Sequence, residues 1–259
     1  MRRFYPVELY KLSRRKDVLW SLIIGILVPL LMAFLAYKGS KSFQMAGGTL
    51  SAFQYSILMF DFLKTLFFFY IVFIVFTSSI VSGEIEEGSL SFLIIRSERR
   101  EKIILAKFLA LLTLLIVFVV LVFLSGIGSY YAFFNSTKYA THEFLGKPYL
   151  PFLYVLILST FELAFVIAFT MLISLFFNRY VTLLLSMGSI ILMKVLENIE
   201  KIKRFLPTYI SNINKWGIAI TANKELSTKT LQSAIFLTIY IIVVLIITLC
   251  YFSNMDIKR

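Results

Sequence analysis

Residues 108–134 read FLALLTLLIVFVVLVFLSGIGSYYAFF, a run without one charged side chain. A helix crossing the hydrocarbon core of a bilayer needs about 20 predominantly apolar residues. This run exceeds that, enough to tilt or to project past the bilayer. The rest of the chain has the same character. Of its 259 residues, 59% are hydrophobic, 17% aromatic and 15% charged, and the mean hydropathy is +0.88. Soluble domains average about 45–50% apolar and about 25% charged. The composition therefore excludes a disordered chain, a coiled coil, a collagen-like fibre and an ordinary soluble enzyme.

Working outward from 108–134, charged residues mark off five further spans. The first, 18–37, contains Pro29, which a membrane helix tolerates. The second, 61–83, is uncharged from Thr65 onward and extended at its start by the turns carrying Asp61 and Lys64. The fourth, 148–178, is interrupted only by Glu162, and the fifth, 180–196, carries Lys194 near one end, where an ammonium can snorkel to the interface. The last is 230–255. The fold class is thus all-α: one polytopic transmembrane domain over 1–259 with six transmembrane helices and no room for a soluble catalytic domain. No small-residue cleavage site follows the first span, so it reads as a retained helix. Cys250 is the single cysteine, so no intrachain disulfide can form.

The net charge is +12. No helix-turn-helix or aromatic-basic module accompanies it, so the cations are assigned to membrane surfaces and not to nucleic acid. Arg2, Arg3, Lys11, Arg14, Arg15 and Lys16 precede the first span, and Arg96, Arg99, Arg100, Lys102 and Lys107 follow the second. The positive-inside rule places both clusters, and with an even span count both termini, in the cytoplasm. The expected location is the plasma membrane. The loop 197–229 is then extracellular, and its six cations run against that rule. It mixes apolar and polar residues around Pro207 and Gly217, consistent with short helices or a re-entrant path.

Two cytoplasmic segments stand out. In 1–17, Tyr5, Leu9 and Leu12 are spaced i, i+4, i+7, with Lys11, Arg14 and Arg15 opposite and Pro6 at the helix entry. Such a helix lies in the headgroup layer. The second segment, 84–102, directly follows a span: Gly83, Glu84, Ile85, Glu86, Glu87, Gly88, Ser89 and Leu90, continuing through Arg96 and Arg100 to Lys107. Three carboxylates in four positions require a water interface. The two glycines permit the backbone to turn. Leu90, Leu93 and Ile94 then form an i, i+3, i+4 docking stripe, and Ser97 with Glu98 can start the next helix.

The run G-E-x-E-x-G-S-L, with Arg96, Arg100 and Lys107 before an apolar helix, resembles the signature of ABC-2 type transporter permeases, the six-span membrane subunits of one class of ATP-binding-cassette exporters. The likeness extends to Glu8-x-x-Lys11, to Arg14-Arg15-Lys16 and to Asp256 after the last span. Ser89 stands where Thr is commoner, and Ser97-Glu98 where a Pro is usual. The resemblance implies a coupling helix, drawn from Gly83, Glu84, Glu86, Glu87, Gly88, Ser89, Leu90, Leu93, Arg96 and Arg100, that sits in a groove of a separate ABC ATPase subunit. It implies two permease subunits, as a homodimer or close heterodimer, with two ATPase copies and with spans two and five at the dimer interface. ATP and Mg would be bound by the ATPase and no cofactor by this chain. Consistent with that, the chain has no G-x-x-x-x-G-K-[ST] loop; Gly47-Gly48-Thr49 lacks the spacing and the Lys. The expected cargo is a peptide, an antimicrobial or another hydrophobic or amphipathic compound.

Glu162 is the carboxylate set deepest in a span. Such a group costs about 2.5–3.5 kcal/mol to insert and faces a bundle interior or a pathway. It is either a packing residue held by Ser159 and Thr160 or a relay for protons or cations. Asp61 and Lys64, spaced i, i+3, form an interfacial pair or a gate. Gly126 and Gly128 permit close helix approach. His142 beside Glu143 has no partners at metal-ligand spacing. No catalytic residue and no metal site is expected. The alternatives to an exporter subunit are a Na+ or H+ transporter using Glu162, and an intramembrane enzyme.

Overall fold

The computed structural model describes residues 4–39, 49–89, 101–137, 139–216 and 223–254. Within them the chain is helical, and the one strand-like pairing is an isolated bridge between Leu50 and Ala140. The helices are α1 (Phe4–Ser13), α2 (Lys16–Tyr37), α3 (Ala52–Thr65), α4 (Phe68–Ile80), α5 (Ser82–Glu86), α6 (Glu101–Ala132), α7 (Leu150–Ser174), α8 (Arg179–Leu196), α9 (Glu200–Lys203), α10 (Pro207–Ile210) and α11 (Asn223–Asn254). Six stretches are long and apolar enough to cross a membrane: Lys16–Tyr37, Phe68–Glu86, Glu101–Ser136, Leu150–Ser174, Arg179–Leu196 and Lys224–Asn254. The chain is an all-helical polytopic membrane protein.

The second span departs most from the sequence expectation of one helix over 61–83. A separate helix, α3, precedes it. Ser51 Oγ accepts the backbone N–H of Gln54, and the Gln54 side chain accepts the N–H of Ser51, a reciprocal capping box that starts α3. The same Gln54 amide donates to the carbonyl of Gly146 at 3.0 Å and anchors α3 to the connection before α7. α3 ends where Phe67 takes φ 61, a left-handed conformation uncommon for a non-glycine residue, and α4 begins one residue later. On a straight helix Lys64 and Tyr70, six residues apart, would point about 120° apart. Across this break both reach the same carboxylate on α7.

Other ends shift for local reasons. α7 stops at Ser174 because Asn178 caps α8, its side chain accepting the N–H of Val181 at 2.9 Å. α11 begins at Asn223, so the expected outer loop 197–229 gives its last residues to a helix, and 197–216 folds as α9, α10 and a 3-10 turn at Ile213–Lys215.

α4 is the axis of the packing. In the apolar window of the α4–α5 stretch, Phe68–Glu86, 72% of residues are buried, against 17% for α8 and for α11. Phe69, Tyr70 and Phe73 are wholly buried, and Phe73 meets Phe118 of α6 edge-on with ring centroids 5.6 Å apart. α1 lies against α6: Leu12 is buried, Tyr5 and Leu9 pack on the core, and the Tyr5 hydroxyl pairs with Thr113 Oγ1 at 2.8 Å. Its Tyr5–Leu9–Leu12 face therefore meets protein, not open headgroups.

α3 crosses α6 so closely that a Cβ on Gly126 would stand 2.7 Å from the Ser56 Cα, whereas one on Gly128 would meet nothing within 4 Å. Gly126→Ala should lower the thermal stability of the detergent-solubilised protein by about 1–3 kcal/mol, the usual cost of overpacking. Gly128→Ala should leave it unchanged or raise it, since alanine is the better helix former.

Candidate functional site

Two clusters of charged side chains lie inside this bundle. The first joins three segments distant in sequence. Glu8 and Lys11 share one face of α1 at i, i+3; Glu84 projects from α5; Lys107 stands in the second turn of α6. Lys107 Nζ donates to Glu84 Oε2 at 2.6 Å and to Glu8 Oε2 at 3.2 Å. Lys11 Nζ donates to the other oxygens of the same carboxylates, Glu84 Oε1 at 3.1 Å and Glu8 Oε1 at 3.3 Å. The four groups close a neutral ring of two cations and two anions. Lys107 is fully buried and Glu8 nearly so, so the ring sits where an unpaired charge would be costly. Burial lowers the pKa of Lys11, and Glu8 and Glu84 outweigh it, leaving the ammonium above its ordinary 10.5.

Within the acidic segment Glu84 is half-buried by this ring, while Glu86 and Glu87 are exposed. Glu86 Oε1 accepts the backbone N–H of Arg179 at 2.7 Å, a carboxylate at the N-terminus of α8 where the helix dipole favours it. Ser89 Oγ donates to the carbonyl of Glu84 at 3.3 Å. Of the two glycines, only Gly88 uses its freedom, at φ 70; Gly83 sits inside α5, and a Cβ there would meet only ordinary contacts at 3.9 and 4.0 Å. Leu90, Leu93, Ile94, Arg96, Ser97, Glu98 and Arg100 lie outside the described residues, as do Gly47, Gly48, Gly217 and Asp256. Arg14 stacks over Tyr10, and Arg15 precedes α2 as its N-cap residue. Lys107 corrects the sequence expectation: it is no surface member of a basic cluster but a core residue. The signal was its setting, Ile103 to Ala106 before it and Phe108 onward after it, all apolar.

The second cluster gathers Asp61, Lys64 and Glu162. Lys64, 6% exposed in the last turn of α3, donates to Ser159 Oγ at 2.6 Å and Glu162 Oε2 at 3.2 Å and forms an ion pair with Asp61 Oδ1 at 3.5 Å. Glu162, 1% exposed, also accepts the Tyr70 hydroxyl on Oε1 and the Ser211 hydroxyl on Oε2 at 2.7 Å. Every acceptor and donor at the centre is engaged. Lys64 is therefore a buried partner of Glu162 as well as of Asp61. Thr160, expected to hold Glu162, donates instead to the carbonyl of Leu156, and Ser159 serves Lys64. Sequence reasoning missed Tyr70 and Ser211, whose pairings are long-range and leave no local pattern. Nearby, Lys194 stands over the rings of Phe67 and Tyr70 at 5.3 and 5.1 Å.

Residues 15–258 match the family described as "Protein of unknown function (DUF2705)". The chain belongs to the DUF2705 family. No curated protein and no solved structure matches it. The DUF2705 match takes in all six long apolar helices and four of the elements that carry the clusters, α3, α5, α6 and α7, and it begins beyond Glu8 and Lys11 of α1. Among the described residues of this DUF2705 chain, no three His, Cys, Asp or Glu side chains converge as metal ligands. What the clusters do chemically is bind helices to one another.

Two measurements follow from that. Glu162→Gln should destabilise the protein by about 3–5 kcal/mol, because it strands a buried ammonium, while the double variant Lys64→Met/Glu162→Leu should recover most of the loss; thermal melts of the three proteins decide it. The Lys11 contribution has a defined window, since a raised folded pKa gives stability that is complete below the unfolded value and is lost as pH climbs through the folded one. The melting gap between wild type and Lys11→Gln should stay constant from neutral pH upward and close only above about 10.5.

Proposed function

We propose that this chain is the membrane-spanning permease subunit of an ATP-binding-cassette exporter. In this reading it sits in the plasma membrane with both termini in the cytoplasm. It pairs with a second permease subunit to form the translocation path and is driven by two separate ATPase subunits that bind ATP and Mg. The cargo class is a peptide, antimicrobial or other hydrophobic or amphipathic compound.

The observation that carries the reading is the attachment of the acidic segment. Through Glu84 it is tied to the start of α6 and to α1, and through Glu86 to the start of α8. A partner that moves this one segment moves the ends of three helices together. That is the mechanical requirement of a coupling element, and it adds to the resemblance carried by Gly83 to Leu90. α8 keeps wide apolar surface for a second subunit or lipid, with Tyr180, Leu184 and Val195 each more than half exposed. α4 offers much less, chiefly Ile71, so the reading places more of the subunit contact on α8 than on α4.

The alternative, a Na+ or H+ transporter using Glu162, draws on the burial of that carboxylate. It is the weaker reading, because Lys64 already neutralises Glu162 and three donors occupy its oxygens. An intramembrane enzyme would need further converging ionisable groups at that depth.

The test is whether a stand-alone ABC ATPase is encoded beside this chain and co-purifies with it. Charge reversal at Glu84 or Glu86 would disturb the fold itself, so the probe is Glu87→Lys, at an exposed carboxylate of the same segment. The ATPase should co-purify with the wild-type chain, and Glu87→Lys should sharply lower its recovery with the melting temperature unchanged. In vesicles, ATPase activity should be stimulated by members of a panel of peptides and amphiphiles. A purified chain that transports with no ATPase attached would sink the proposal.

A further inference from the structure

The segment 197–229 carries six cations against three acidic residues, Glu197, Glu200 and Glu225. Lys215 is paired with Glu197. Three of the others, Lys203, Arg204 and Lys229, line one groove of about 400 Å³ between α9–α10 and the second turn of α11. Among the described residues the one ion pair these three cations make is Lys203 with Glu200, at 3.7 Å and with the Glu200 side chain 90% exposed. Among the described residues, Arg204 and Lys229 have no acidic partner.

The groove is built in advance of any ligand. Lys203 lies over the Tyr209 ring at 5.8 Å and Lys229 over the Trp216 ring at 5.1 Å. An aromatic face positions an ammonium without neutralising it. Trp216 is 9% exposed and its Nε1–H donates to the Tyr209 carbonyl at 3.3 Å, while the Tyr209 hydroxyl donates to the Lys215 carbonyl at 3.4 Å. Ser233, 7% exposed in the wall, spends its hydroxyl on no partner among the described residues. Beside these donors the wall turns apolar: Phe236 lines the groove and is 56% exposed, and Phe205, next to Arg204 in the chain, is 71% exposed.

We propose that this groove binds a phosphate-class anion, held by Lys203, Arg204 and Lys229 with the Ser233 hydroxyl, and carried by the headgroup of an acidic amphiphile whose apolar part lies along Phe205 and Phe236. The chemistry matches on each count. Several N–H donors converge on one anion with no competing carboxylate inside the groove, and the apolar rim continues along a helix long and apolar enough to span a bilayer. The proposal also gives a reason for cations in a segment where the positive-inside rule would not put them. It is independent of the exporter reading.

The chain has two tryptophans, Trp20 and Trp216, so Trp20→Phe leaves Trp216 as the one indole reporter. The full chain is placed in phosphatidylcholine nanodiscs with rising fractions of phosphatidylglycerol, and glycerol phosphate is titrated from solution in a parallel series. Trp216 emission should change saturably. Arg204→Gln and Lys229→Gln should each weaken half-saturation by about tenfold, Lys229→Arg should restore it, and Lys224→Gln, outside the groove, should leave it alone. Saturation by the lipid alone supports the headgroup; saturation by glycerol phosphate at similar concentration supports the same anion site with a soluble ester as its source. No saturable response to either, or an unaltered response in Arg204→Gln/Lys229→Gln, overturns the proposal. Arg204 is exposed, so its variant reads the site even where Lys229→Gln fails to fold.

Discussion

An ammonium or carboxylate withdrawn from water into an apolar bundle keeps its charge only if an opposite charge comes with it. That constraint acts twice in this chain. Lys107, wholly buried at the base of α6, draws Glu8 from 99 residues away and Glu84 from the end of the second span. Lys64, at the end of α3, draws Glu162 from 98 residues away in the middle of α7. Apolar packing between helices in lipid is weakly directional, because lipid tails are as apolar as leucine. Paired charges are directional, and each cluster specifies which helices meet and at what register. The break at Leu66–Phe67 fits this account: without it Tyr70 and Lys64 could not both address Glu162.

Burial is distributed unevenly around these two knots. α4 is enclosed by its neighbours, while α2, α6, α8 and α11 each present rows of apolar side chains outward, among them Trp20, Ile116, Leu184 and Phe236. In a soluble protein such surface would mark an interface or an aggregation hazard. Here it is what bilayer contact requires. The polar groups that remain outside, on α9 and at Arg204 above all, therefore carry more information than the apolar ones, because lipid contact does not explain them.

The number and rough placement of the spans were legible in the sequence because they rest on one quantity, the length of uncharged apolar runs. Boundaries drifted wherever a tertiary partner ends or starts a helix. α3 had a local signature, Ser51-x-x-Gln54, but Asp61 and Lys64 made the stretch before Thr65 read as an extension of the next span. The start of α11 was hidden in the same way by Lys224, Glu225 and Lys229. At the site, spacing within one helix picked out Asp61 with Lys64, the family resemblance gave Glu8 with Lys11, and Glu162 stood out by its place inside a span, yet none of the pairings across helices was legible. A contact across nearly a hundred residues has no period to detect. The acidic run after Gly83 was visible as unusual; that Glu84 is drawn half-buried into an ion-pair ring while Glu86, though exposed, caps the start of α8 depends on where Lys107 and α8 come to lie.

The two clusters are also mechanically in series. α4 is thirteen residues long, about 20 Å. Just past its far end α5 carries Glu84 and Glu86, and in its first turn Tyr70 holds Glu162. Its aromatic side chains are locked in a close-packed core, and such interiors transmit displacement better than they absorb it. In the proposed reading, a push on the acidic segment would be passed along α4 toward the Lys64–Glu162 pair. The compliant point is the break at Phe67, where the helix is already interrupted and the left-handed residue stands beside the Lys194 ammonium. A rod with a charge knot at each end and its hinge at one of them is an arrangement in which an event at the acidic segment changes how α3 sits on α7. Ser211, bonded to Glu162, would carry that change into the segment that contains the basic groove.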